Sequence, residues 1–345
     1  MKFVAGIDIS KDSFYVCIKQ QFEDNRLKII KSTTFSNNYK GFQAYLQYVR
    51  SVSDEIFHVM EATGSYYEEL AYFLHDEQEK VSVILANKIK HYAKSLNIKT
   101  KTDKVDASVI ASFGLERILP VWQPMNPQYR QLRDLCRELL SIKQCLAKSK
   151  CQLHALNHSH KKNPKVVSLK NQQIQFYENA IDELEVSIKE IVTNDKQLHQ
   201  KIKNIEKVKG LRMITIVSVL CETNGFELFE NIKQVVSYAG LDVVESQSGQ
   251  FRGKTRISKK GNSRIRQALY MPGLSASQHN KTIHALHLRI CEKNPQTKRK
   301  GIVAAMRKLL ILIYVLWTKN EPYKEDYQWN KRQESEKTDS NRSID

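Results

Sequence analysis

Phe3-Val4-Ala5-Gly6-Ile7-Asp8-Ile9 is an apolar run of seven residues with one carboxylate set into it, and it opens the pattern that decides the fold. A short apolar run bounded by polar punctuation reads as a strand. Two more follow at once: Phe14–Gln20 after Lys11-Asp12, and Leu27–Phe35 after the Glu23-Asp24-Asn25 turn. The period then changes. A helix is expected over Tyr39–Val52, a strand over Ile56–Ala62, a helix from Ser65 to about Lys80, a strand over Val81–Ala86, and helical segments to about Arg117.

Three strands in succession, then alternating helices and strands, predict an antiparallel meander joined to parallel crossovers, the order of a ribonuclease-H-like fold. A proline-marked linker, Pro120 to Pro127, closes this first region, residues 1–120. Beyond it, Leu132, Leu135, Leu139, Ile142, Leu146, Leu153 and Leu156 keep a/d spacing, with Ser149 at the missing position. After a break at His160–Pro164, Ile174, Tyr177, Ile181, Leu184, Ile188, Ile191, Leu198, Ile202 and Ile205 repeat the pattern, interrupted only at Asp195. An antiparallel coiled-coil hairpin is therefore expected over residues 126–206, each arm roughly 45 Å long at 1.5 Å per residue. Its apolar seam is narrow enough to leave a second side for another protomer or a nucleic-acid strand. Residues 207–323 read as mainly helical with a turn-rich basic segment from Gly240 to Gly261, and residues 324–345 as a polar, disordered tail.

Lys and Arg outnumber Asp and Glu by 55 to 37, and the resulting net charge of +18 draws in polyanions, nucleic acid before membrane. The longest apolar run, Leu309 to Trp317, falls well short of the roughly 20 residues that span a bilayer, and Phe3–Ile9 is too short for a secretory signal. No membrane partner is expected. The six cysteines form no C-x-x-C pair and have no histidines at zinc spacing, so they read as reduced packing thiols of a cytoplasmic protein.

Four acids stand out against this background. Asp8 interrupts the first strand, an expensive place for a lone carboxylate. Glu61 ends the strand Ile56–Ala62, and Asp103 and Asp106, three apart at a helix start, share one helical face. Singly, each has a plain structural use, such as a helix cap or a turn. In a ribonuclease-H-like order, however, the first and fourth strands are neighbours, and a helix across their ends brings the Asp pair to them. Carboxylates so gathered need compensation, which two divalent cations provide while clamping the attacking and leaving oxygens of a phosphodiester. Ligation by oxygen alone points to Mg²⁺, or Mn²⁺ in its place.

Gly6-Ile7-Asp8-Ile9-Ser10-Lys11, Glu61-Ala62-Thr63-Gly64-Ser65-Tyr66 and Thr102-Asp103-Lys104-Val105-Asp106-Ala107 resemble the DEDD motif of the IS110 family of insertion-sequence transposases, relatives of the Piv-type DNA invertases. A second match lies in the other half of the chain: Val208-Lys209-Gly210-Leu211-Arg212, Tyr238-Ala239-Gly240-Leu241-Asp242, Ser246-Gln247-Ser248-Gly249, and Arg256 through Gly261-Asn262 to Tyr270. The resemblance implies a RuvC-like N-terminal domain, a coiled-coil insertion and a helical transposase domain in which Ser248 attacks DNA. It also implies a homodimer or homotetramer whose subunits share the carboxylates and the serine, and a structured bridge RNA that pairs with donor and target DNA.

Around Ser248 the sequence is strongly basic. Arg252, Lys254, Arg256, Lys259, Lys260, Arg264 and Arg266 place seven cations within fifteen positions, a density suited to backbone phosphates. Such contacts position DNA without reading its sequence. A serine hydroxyl needs a base, metal or cation to become a nucleophile, and no histidine lies near Ser248 in the chain. The expected reaction is attack by Ser248 on a DNA phosphodiester, leaving the protein on the 5′ phosphate and a free 3′ hydroxyl. Two other readings remain at this point: a RuvC-like, metal-dependent nuclease of DNA junctions in which Ser248 is structural, and a non-catalytic nucleic-acid-binding protein.

Overall fold

Side chains of β1 (Lys2–Ile9) alternate between two faces. Ala5, Ile7 and Ile9 enter one apolar cluster with Phe14, Tyr45 and Leu70, whereas Val4 enters another with Val59, Ile110 and Leu115. A strand buried on both faces belongs in the middle of a covered sheet, and β1 is the middle strand of five. The computed structural model describes residues 2–324 apart from Ser246, Gln250 and Lys254, and the backbone alone of Arg252. All but the first residue of the expected disordered tail, 324–345, lies outside the described residues. The chain divides into two compact units, Met1–Pro124 and Met125–Asp345.

In the first unit β1 is followed by β2 (Ser13–Gln21), β3 (Leu27–Ser36), α1 (Tyr39–Arg50), β4 (Ile56–Ala62), α2 (Glu68–Asp76), β5 (Val81–Leu85), α3 (Ala86–Ser95) and α4 (Asp103–Glu116). The sheet order is β3-β2-β1-β4-β5, with β1–β2 and β2–β3 antiparallel and β1–β4 and β4–β5 parallel. An antiparallel meander joined to parallel crossovers is thus what the strand succession expected. The helix expected from Ser65 is shorter. Residues 63–67 turn instead, with Gly64 at φ +57°, and Gln78 at φ +62° follows the far end. The proline-marked linker is partly tied down, since the N–H of Trp122 donates to the carbonyl of Val81 at 2.7 Å.

α4 decides where the acids go. Its buried small residues Ala107, Ala111 and Gly114 recur at i, i+4 and i+7, forming a flat strip on one side. Gly6 meets that strip: a Cβ there would stand 2.2 Å from the carbonyl oxygen of Ala107 and 2.3 Å from the nitrogen of Ala111. At the other end a Cβ on Gly114 would meet Val59 at 2.7 Å and Val4 at 2.8 Å. Absent side chains on both partners let the helix lie directly on β1 and β4.

The second unit contains α5 (Pro127–Asn157), α6 (Pro164–Asn194), α7 (Lys196–Glu206), α8 (Met213–Glu222), α9 (Ile232–Tyr238), β6 (Val243–Val244), β7 (Gln247–Ser248), β8 (Phe251–Arg252), β9 (Arg256–Ile257), α10 (Ser263–His279), α11 (Lys281–Glu292) and α12 (Arg299–Lys319). α5 and α6 pack antiparallel, bridged by Lys143–Glu185 at 2.6 Å and Lys150–Glu178 at 2.7 Å. The second arm breaks where its periodicity is interrupted. Asp195 ends α6 and caps α7, its carboxylate accepting from the N–H groups of Gln197 and Leu198 at 3.0 Å each. Near the base of the pair, Leu132, Cys136, Leu139, Ile188 and Val192 share one apolar cluster with residues as distant as Leu309 and Ile313. α12 is long and apolar enough to cross a membrane by length and composition, yet Ala305, Leu309, Leu310 and Ile313 are fully buried in that cluster.

Candidate active site

β1 and β4 run parallel in register up to the pair Ile7↔Met60. Asp8 and Glu61 are the next residue on each strand, and the alternation puts Asp8 on the face of Val4 and Gly6 and Glu61 on the face of Val59, the side covered by α4. The first turn of α4 carries Asp103 and Asp106. Thr102 starts that helix, its hydroxyl accepting from the N–H of Val105 at 3.3 Å, so both acids sit at the electropositive helix end.

The four carboxylates act on one another. Burial, then the charges of Asp106, Asp103 and Glu61, push Asp8 up to about 6, with Lys101 working the other way. Glu61 is raised by burial and by Asp106, against Lys101 and a hydrogen bond from the Thr63 hydroxyl. Burial also raises Asp106, opposed by Lys101 and reinforced by Asp103. Of the expected site residues in this unit, Asp8, Glu61, Asp103 and Asp106 therefore share one electrostatic neighbourhood that is short of positive charge. Among the described residues no three Asp, Glu, His or Cys side chains are close enough, as they stand, to form a ligand set. Donor type and charge deficit suit a hard divalent cation, and the carboxylates have to draw together to hold one.

Asn37 steadies the loops beside Asp8 and Glu61. Its Nδ2 donates to the carbonyls of Ser10 at 2.9 Å and Tyr66 at 3.2 Å, and its backbone N–H donates to the carbonyl of Asp12 at 2.9 Å. One residue thus ties the chain following Asp8 to the chain following Glu61. The sequence gives no sign of it, because a lone Asn between a strand and a helix has no period and reads as part of a cap.

Ser248 lies in the second unit. The turn-rich basic segment also contains two short ribbons, β6 paired with β9 and β7 paired with β8. Ser248 pairs with Phe251 at the end of the inner ribbon and is exposed, and Gly249 follows at φ +55° with open space around it. The residue is thus exposed at the end of the paired strands.

Of the seven expected phosphate ligands, Lys254 and the side chain of Arg252 lie outside the described residues. Arg256, Lys259, Lys260 and Arg264 are exposed. Arg266 differs from a free phosphate ligand: its Nη1 donates to the carbonyls of Ala239 at 2.9 Å and Gly261 at 3.2 Å, bracing both ends of the ribbon segment. Behind the segment lies a group the sequence reading missed. Buried Glu222 receives Arg137 through both oxygens, Nε to Oε1 at 2.7 Å and Nη2 to Oε2 at 3.0 Å, and Asn262 donates to Oε2 at 2.7 Å. Burial alone raises a carboxyl, but those hydrogen bonds and the nearby charges outweigh it and hold Glu222 below its usual range. Asn262 also caps α10, so this network anchors the helix that ends the basic segment.

Residues 5–158 match the DEDD transposase domain named for IS110, and residues 202–288 match the transposase IS116/IS110/IS902 family, in that order along one polypeptide. The chain carries the transposase domains of the IS110 family. Among curated relatives, the pilin gene-inverting protein of Moraxella bovis is 29% identical over 326 residues, spanning 93% of this chain and 98% of its own. Its counterpart in Moraxella lacunata is 29% identical over the same share of both chains. A solved structure, the fowlpox virus Holliday junction resolvase, aligns with 33% of this chain and 96% of its own at 14% identity and a TM-score of 0.24, a likeness too slight to bear on the fold.

Proposed function

We propose that this protein recombines DNA by transesterification, with Ser248 as nucleophile and Asp8, Glu61, Asp103 and Asp106 as the holders of divalent cations. The observation that carries the reading is the charge deficit around Asp8, a half-buried strand carboxylate pushed up to about 6 by burial and three neighbouring acids. A fold tolerates such a cost where a bound cation removes it. The five-stranded mixed sheet, in the order β3-β2-β1-β4-β5, supports a ribonuclease-H-like, RuvC-like reading of the first unit. Asp8, Glu61, Asp103 and Asp106 would hold Mg²⁺, or Mn²⁺ in its place, which would supply charge stabilisation at the phosphate.

The protein's own residues do the rest. The Ser248 hydroxyl gives up its proton and attacks phosphorus; the bond to the 3′ oxygen breaks and that oxygen takes up a proton, leaving a 3′ hydroxyl and a 5′ phosphoserine. One phosphoester replaces another, so the reverse attack by a different 3′ hydroxyl rejoins strands without ATP. Arg256, Lys259, Lys260 and Arg264 hold flanking phosphates in position. Inversion of a DNA segment, the activity named for the Moraxella relatives, uses the same chemistry as insertion. Bringing carboxylates and serine to one phosphate across the subunits of a homodimer or homotetramer, with a bridge RNA choosing donor and target DNA, completes the proposal.

Recombination between two marked DNA sites, the element's own flanking region supplying any RNA, tests the reading. Recombinant product is expected with Mg²⁺ and wild-type protein, and none with Ser248→Ala, Asp8→Ala or chelator. Strand cleavage that persists in Ser248→Ala would favour the junction nuclease instead. Activity that persists in Asp8→Ala would remove the metal site.

A further inference from the structure

Between α5, α8 and α10 of the second unit lies an open cavity of about 230 Å³, of whose lining the chemistry above uses Arg264 alone. Ala268, Met271 and Pro272 supply apolar wall, and Arg137, Lys143 and Arg264 supply cations. Arg264, Ala268 and Met271 fall at i, i+4 and i+7, one face of α10, so a single helix presents a charge and an apolar patch side by side.

Three features narrow what fits. The first is charge. Glu222 also lines the cavity, but Arg137 and Asn262 take up both of its oxygens. Among the described residues Arg264 has no ion-pair partner and Lys143 pairs with the half-buried Glu185 alone, a surface contact open to exchange. The second is an acceptor. Pro272 sits inside α10 and has no N–H to meet the carbonyl of Ala268 four residues earlier. That carbonyl therefore lacks its usual helical donor. The third is softness: Met271 is 67% exposed, an adaptable thioether beside the opening.

A flat apolar face, an N–H donor on its edge and an attached anion occur together in a nucleotide. Pairing hides the edge and stacking hides the face, so only a nucleotide outside the duplex offers all three. We propose that this cavity binds one unpaired nucleotide of a DNA or RNA strand, its base against Ala268, Met271 and Pro272 and its phosphate on Arg264 and Lys143. The proposal rests on the nucleic-acid reading of the chain and adds to it a site selective for looped or displaced strands.

The full-length protein is titrated into a DNA hairpin carrying 2-aminopurine in its loop, an RNA hairpin of the same sequence, and a DNA duplex with the same base paired. A change in 2-aminopurine emission is expected with at least one hairpin and not with the duplex, and the hairpin that responds more strongly identifies the source. Ala268→Phe, which fills the cavity, should abolish the change and weaken binding of that hairpin about tenfold, leaving duplex affinity as it was. Should Ala268→Phe melt early, the exposed Met271→Ala decides, with a loss of signal expected. Unchanged hairpin binding in the folded variants, or an equal loss for hairpin and duplex, overturns the proposal while leaving the nucleic-acid reading standing. Failure of wild-type protein to bind any of the three at low salt would defeat both.

Discussion

The carbonyl oxygen of Ala107 lies 2.2 Å from the point that a Cβ on Gly6 would occupy, so the absence of one side chain sets the distance between the strand of Asp8 and the helix of Asp106. Gly6→Ala must push α4 outward, since the obstacle is backbone. The expected cost is about 1–3 kcal/mol, read as a lower melting temperature. Recombination should fall at least tenfold even where the variant stays folded, because a displacement near 1 Å misplaces catalytic groups. Gly114→Ala is the control. Its nearest obstacles are side-chain atoms of Val4 and Val59, at the far end of the helix, and it should lower stability with little loss of activity in the folded fraction.

Asp8 gives a prediction with a definite sign. Its folded pKa is raised, from 3.8 to about 6, so the folded protein binds the proton more tightly than the unfolded chain. Stability from this group is present below pH 3.8 and is lost as pH rises through 6. In metal-free buffer Asp8→Asn should therefore melt higher than wild type at pH 7.5, and the gap should close as pH falls toward 4. Mg²⁺ should raise the wild-type melting temperature and have a much smaller effect on Asp8→Asn. A variant no more stable than wild type at pH 7.5 would mean that the acids do not repel as described.

Much of this was legible in the sequence, for a physical reason. In a covered sheet both faces of a strand are apolar, so a carboxylate at position 8 or 61 breaks the pattern visibly, and the order of strand and helix periods leaves few topologies. The a/d leucines of α5 were equally plain. What the sequence hid was of two kinds. Two-residue strands such as Gln247–Ser248 are too short to show any period, so the ribbon presenting the serine looked like turns. Contacts such as Asn37 to Ser10 and Tyr66, or Arg137 to Glu222, join residues whose partners are chosen by the fold and not by spacing.

Ser248 stands exposed at the end of the inner ribbon, and its side chain has no hydrogen-bond partner among the described residues. Ser248→Ala should change stability by no more than about 0.5 kcal/mol and leave DNA affinity within a factor of about two. A covalent protein–DNA adduct, seen as a band that survives detergent and disappears on protease treatment, should be present with wild type and absent with the variant. Gly249 at φ +55° supplies the companion test. Nothing crowds it, so Gly249→Ala should fold normally and act more slowly, its backbone strained by an L side chain there.

Glu222 is held below its usual pKa range by Arg137 and Asn262, so its sign is opposite to that of Asp8. Its contribution is present above pH 4.5, the value of an unperturbed carboxyl, and is lost as pH falls through the lower folded value. Glu222→Gln keeps the shape and removes the charge, leaving the Arg137 guanidinium without its anion. At pH 7 the variant should be less stable by about 2 kcal/mol, and the difference should narrow below pH 4.5 as the wild-type carboxylate takes up its proton. Because Asn262 caps α10 and bonds to the same carboxylate, the loss should also loosen the helix start that follows the basic segment. Faster amide exchange at Arg264 and Ile265, whose N–H groups Asn262 accepts, is the local signature to measure. A fall in melting temperature without that faster exchange would separate the ion pair from the cap and show that Glu222 stabilises the core alone.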